Sequence, residues 1–204
     1  MDKKQALEEI ATRIAATKGG PFGPGLNPVP GEGSPDAEIM FIGEGPGFHE
    51  DQQSRPFVGV SGQLLRKTLG ENGFKETDVF ITNIVKFRPP ENRDPAPSEI
   101  EFFKPFLDEQ IEVISPKIIV TLGRFSMYKF FGEGVTISRI HGQARKIGKY
   151  LIFPMFHQAA ALRNPETMRE FKSDFARLAE LVNKTPEPGV KKTESVKDEQ
   201  LPLV

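Results

Sequence analysis

Four short apolar runs, Ile39–Ile42, Val79–Thr82, Ile118–Leu122 and Leu151–Met155, constrain this chain more than any other feature. Each is too short for a helix and is followed by turn or polar residues, so each reads as a buried strand. Between them the spacing of apolar residues becomes helical. Helices are predicted over 62–72, over 97–114 with Ile100, Phe103, Leu107 and Ile111 on one face, over 125–131, and over 167–183 with Phe171, Phe175, Leu178 and Leu181. A further helix opens the chain over 3–16 on Ala6, Leu7, Ile10, Ala11 and Ile14. Residues 137–147 read as a small hairpin, and the Gly/Pro-rich stretch Gly19–Gly33 as an irregular traverse. Strands alternating with helices imply an α/β chain, a three-layer αβα sandwich around a central, mostly parallel four-stranded sheet.

In such a sheet ligands bind beyond the carboxyl ends of the strands, so the residues just after each run are the candidates for chemistry. After the first comes Gly43-Glu44-Gly45-Pro46-Gly47-Phe48-His49-Glu50-Asp51, then Ser54-Arg55-Pro56-Phe57-Val58-Gly59. Three glycines allow a ligand close to the backbone, and several carboxylates stand among them. After the second comes Asn83, which offers a donor and an acceptor to a planar ligand, although an asparagine there more often caps a turn. Lys86 to Pro95 comes next as a basic, proline-stiffened loop, either a phosphate-holding segment or an exposed connector. After the last run stands His157, one of three histidines with His49 and His141, and beyond it small residues and Leu162-Arg163.

Bulk properties narrow the class. The 204 residues, 37% hydrophobic, suit one domain with a proper core, taken as residues 1–183. No apolar run would span a bilayer and no signal-peptide segment opens the chain, so a cytoplasmic protein without membrane contact is expected. Basic and acidic residues balance, 27 against 28, which gives no general argument for nucleic acid. There is no cysteine, so no thiolate ligand or nucleophile exists.

Taken together and in order, the blocks Gly43–Gly47, Arg55–Leu65, Ile81–Lys86, Arg88–Arg93, Thr121–Arg124 and His157 with Leu162-Arg163 resemble the family-four uracil-DNA glycosylases, over about Val29 to Val182. The resemblance implies hydrolysis of the bond between uracil and deoxyribose in DNA, leaving an abasic site for base excision repair. It implies that Gly43 and Gly45 border the uracil, that Phe57 stacks on it, and that Asn83 reads its edge. His157 would donate to uracil O2. Glu44 and Glu50 hold the acidic positions of the first motif, positioning water or favouring the cationic sugar, with the roles open between them. Arg88, Arg93, Leu162 and Arg163 would contact DNA. A monomer is expected. The alternative is a non-catalytic uracil- or DNA-binding module.

The chain also departs from that family, whose members hold an iron–sulfur cluster with four cysteines. Thr17, Gly20, Phe87 and Phe103 stand at those positions, so no cluster of this type can form and no cofactor or metal is expected. An apolar plug of Phe87 and Phe103, with Phe22 and Phe106, is expected in its place. Gln158 occupies the position of a family proline. From Lys184 to Val204 the composition turns polar and reads as a disordered tail. Its last residues, Gln200-Leu201-Pro202-Leu203-Val204, resemble the short peptide that docks on the bacterial sliding clamp.

Overall fold

The computed structural model describes residues 2–184. The tail and its Gln200–Val204 motif therefore lie outside the described residues. In chain order the elements are α1 (Lys3–Ala16), β1 (Glu32–Gly33), β2 (Ile39–Gly43), α2 (Phe48–Gln53), α3 (Val60–Glu71), β3 (Val79–Asn83) and α4 (Pro97–Ile114). Then come β4 (Ile118–Leu122), α5 (Arg124–Phe131), α6 (Ile137–Ile140), β5 (Arg145–Ile147), β6 (Tyr150–Met155), α7 (Gln158–Arg163) and α8 (Pro165–Lys184). Among the described residues no helix is long and apolar enough to cross a membrane.

The four predicted strands form the parallel centre of the sheet, in the order β3-β2-β4-β6. Two short antiparallel strands extend it to six, β1 outside β3 and β5 outside β6. Both faces are covered, as the continuous apolar runs require. Along β2, Phe41 faces one core with Leu65, Val120, Phe153, Phe171 and Phe175. Its neighbours Met40 and Ile42 face the other, with Ile10, Ile14, Phe103, Leu107 and Ile119. That alternation is the two-residue period of a strand.

The register aligns the strand ends. Gly43 pairs with Asn83, Ile42 with Thr121, and Leu122 with Met155. From β2 the chain crosses to β3 on one side and later returns to β4 on the other, so the order reverses between β2 and β4. The crevice outside that point is where this architecture places a ligand.

The structure corrects three local expectations. Residues 137–147 are not a hairpin: 137–140 form α6, and the hairpin is β5–β6, turned at Gly148-Lys149 with Gly148 at φ +58°. The glycine loop after β2 contains α2, whose sequence FHEDQQ has no apolar period to announce it. The segment after β6 contains α7, whose N-terminus is capped by the His157 ring accepting from Ala159 N–H.

Candidate active site

A cavity of about 310 Å³ opens at the carboxyl edge of the sheet. Of the residues singled out from sequence, Glu44, Gly45, Glu50 and Phe57 reach it from the first segment. Asn83 and Arg93 reach it from the second, and His157 and Arg163 from the last. Gly43, Arg88 and Leu162 do not line it. A larger cleft of about 530 Å³ between α4 and α5 holds none of these residues.

The two carboxylates have different surroundings. Glu50 is buried, and its Oε1 accepts the backbone N–H groups of Val58 (3.0 Å) and Gly59 (2.7 Å). It thereby ties α2 to the start of α3 and fixes the loop that carries Phe57. Glu44 lies at the N-terminus of α5. Burial pushes its pKa up to about 7, helped by the charge of Asp94 and opposed by the N–H groups of Phe125 and Arg124 and the Arg124 guanidinium. A Cβ on Gly123 would stand 2.4 Å from Glu44 Oε1, and Gly123 has φ +92°. Only glycine fits that corner, where the loops after β2 and β4 meet.

Phe57 and Asn83 are buried and converge. A Cβ on Gly43 would stand 2.5 Å from both Asn83 Oδ1 and Phe57 Cζ, so Gly43 supports the two side chains from behind. Phe57 has φ +55°, a conformation that costs about 1–3 kcal/mol for a non-glycine residue. Arg66 holds it there: its Nε donates to Phe57 O and its Nη2 to Pro56 O, both at 2.8 Å, while Glu32 and Glu76 pair with the guanidinium. Sequence reasoning missed Arg66, because an arginine in a helix has the pattern of an ordinary surface cation.

Lys86, which the sequence places at the head of the basic loop, is turned inward instead of being offered to a phosphate. It is fully buried, and its Nζ donates to Thr82 Oγ1 (2.7 Å), Asn83 O (2.8 Å) and Gln110 Oε1 (2.7 Å). Burial, with Lys129 adding like charge, pushes its pKa well below the usual lysine range. Its three acceptors match the three N–H groups of an ammonium, and one of them anchors the backbone of Asn83.

His157 precedes α7, and its Nδ1 accepts from Ala159 N–H at 3.2 Å. The neutral ring therefore carries its proton on Nε2. Burial, with the positive charge of Arg163, lowers its pKa to about 4. His141 does other work: its Nδ1 bonds Asp174 Oδ2 at 2.8 Å and its ring packs on Phe156 at 4.5 Å. Gln158 lines the cavity, and its buried Oε1 has no hydrogen-bond partner among the described residues.

The positions where the resemblance puts four cysteines do not fit an iron–sulfur cluster. Phe103 is fully buried and meets Phe22 (5.8 Å), Phe87 (5.9 Å), Phe102 (4.9 Å) and Phe106 (6.5 Å) between ring centroids. A Cβ on Gly20 would stand 2.6 Å from the Phe102 ring. Rings occupy the space and no thiolate is present. The plug also reaches the cavity, because Arg93 lies over the Phe22 ring at 6.0 Å and donates twice to Glu99 at 2.8 and 2.6 Å.

Comparison with known proteins identifies the family. The family model of the uracil DNA glycosylase superfamily matches residues 30–180. A type-4 uracil-DNA glycosylase of Sulfurisphaera tokodaii is 48% identical over 76% of this chain and 74% of its own length. Those of Archaeoglobus fulgidus and Thermotoga maritima are 42% and 45% identical, over 78% and 68% of this chain and 83% and 73% of their own lengths. The chain belongs to the uracil-DNA glycosylase superfamily and, within it, to the type-4 family, as a member without cysteine.

Proposed function

We propose that this protein is a uracil-DNA glycosylase, a hydrolase that cleaves the N-glycosidic bond of a deoxyuridine extruded from DNA, giving free uracil and an abasic site. The observation that carries the reading is the convergence of Phe57, Asn83, Glu44 and His157 on one cavity at the sheet's switch point. The base must leave the stack before its bond can be reached, at a cost of a few kcal/mol. Phe57 then supplies a fixed aromatic face. The Asn83 amide donates to uracil O4 and accepts from N3–H. Cytosine inverts that pattern and would leave buried polar groups unpaired.

Bond cleavage puts positive charge on the sugar and negative charge on the departing base. His157 Nε2–H meets the second as it develops on O2, and its lowered pKa keeps the ring neutral across the physiological range. Glu44 meets the first. Between the two carboxylates, Glu50 is committed to the backbone of Val58 and Gly59, whereas Glu44 titrates near 7, the range of an effective general base. Water attacks the anomeric carbon, its proton passes to Glu44, and the N1–C1′ electron pair leaves with the base. Arg163, at the cavity wall, and the exposed Leu162 next to it contact the strand around the gap.

An oligonucleotide with one uracil, incubated with EDTA and then alkali, tests this reading. We expect strand breaks with the natural protein. His157→Ala should lower kcat by roughly 10²–10³, the usual cost of one charge-stabilising donor, and Asn83→Ala should lose preference for uracil over cytosine. Retained binding without any cleavage by the natural protein would instead favour a binding module.

A further inference from the structure

Phe48, the first residue of α2, is 47% exposed, an unusual place for so large an apolar ring. The ring is nevertheless held. The Arg88 guanidinium lies 5.1 Å from its centroid, and the His49 ring meets it edge-on at 5.5 Å. Arg88 is itself fixed, its Nε donating to Asn92 Oδ1 at 2.7 Å. Asn92 lines the cavity, as do Pro46 and Gly47 immediately before Phe48. A cation-backed aromatic surface thus continues from the rim of a site that takes a single nucleotide.

When a strand enters that site, the nucleotide next to the extruded one has to lie at the rim. Every nucleobase has a π-face, and stacking on an exposed aromatic ring contributes about 1–3 kcal/mol per base regardless of sequence. Arg88 adds a positive charge beside the backbone phosphate. In a duplex the neighbouring base stays stacked and paired, whereas in a single strand it is free to turn onto the ring. The occupant that suits a partly open ring, a bound guanidinium and an adjoining nucleotide cavity is an unpaired flanking base.

We infer that Phe48, held by Arg88 and His49, is a stacking platform for the unpaired nucleobase beside the extruded uridine, and that it favours single-stranded DNA. The inference rests on the reading of the cavity as a uracil site.

The test uses oligonucleotides in which 2′-fluoro-2′-deoxyuridine resists cleavage and 2-aminopurine stands on either side, single-stranded or in duplex. Phe48→Ala should weaken single-strand binding roughly 5- to 150-fold, leave duplex binding within twofold, and remove the quenching of 2-aminopurine on one side. An abasic spacer on that side should erase the difference between the natural protein and the variant, and Phe48→Trp should restore binding. Unchanged single-strand affinity, an equal loss on duplex, or a full effect with the abasic spacer would overturn the platform. Failure of the natural protein to release uracil from an unmodified oligonucleotide would instead overturn the reading of the cavity.

Discussion

Glu44→Gln is expected to lower kcat at pH 8 by roughly 10²–10⁴, the span of a positioned general base, while making the folded protein more stable at that pH. The two effects have one cause. Burial raises the Glu44 pKa from an ordinary 4.5 to about 7. Between those values the folded state holds a proton that the unfolded chain has released, so stability falls as pH rises through the window. The loss is at most about 3 kcal/mol at 1.36 kcal/mol per unit, and less where the carboxylate meets solvent in the cavity. Glutamine has no proton to lose. The natural protein should also show a rate that climbs with pH and levels off above 7, an acid limb absent from the variant's residual activity.

His157 has the opposite sign. Burial lowers its pKa from 6.5 to about 4, so the unfolded chain binds the extra proton and stability is lost as pH falls from 6.5 towards 4. In the natural protein the two contributions run against each other from about pH 4.5 to 6.5 and leave a shallow profile. Removing Glu44 exposes the histidine's part. Urea unfolding of Glu44→Gln should therefore show stability rising with pH over 4–6.5. A profile as shallow as that of the natural protein would reject the environments assigned to both groups.

Much of this site was legible because the fold imposes where ligands go. Four apolar runs define the parallel strands, and the residues after three of them, Glu44, Asn83 and His157, supply the cavity's chemistry. What could not be read depends on side-chain direction rather than residue type. Arg66 has the periodicity of a surface cation and Lys86 opens a basic loop, yet one grips the carbonyls of Pro56 and Phe57 and the other is buried against Asn83. No pattern in the sequence announces that the Arg88 guanidinium lies on Phe48, outside the cavity. The short helix α2 was hidden because its buried face is a single charged residue, Glu50. Hydrophobic periodicity has no signal for a helix that folds around a carboxylate.

Phe87→Ala is expected to lower the unfolding free energy by about 3–5 kcal/mol, the usual cost of truncating a buried phenylalanine. Phe87 and Phe103 are both fully inaccessible, so the surrounding rings have little room to collapse into the space left. The same substitution should raise KM for uracil-containing DNA. Phe87 leads directly into Arg88, and the ring cluster supports Arg93 through Phe22, so a cavity there loosens both ends of the loop that borders the site. Phe102→Ala is the control: that ring meets Phe103 at 4.9 Å but is 43% exposed, so its removal should cost about 1–2 kcal/mol, clearly less than that of Phe87. Denaturant midpoints and KM for the three proteins decide the matter. Unchanged stability and DNA affinity in Phe87→Ala would mean that the rings fill space without holding the loop. A loss of both, with Phe102→Ala losing less stability and keeping the natural KM, is what a packed aromatic staple in place of a metal cluster requires.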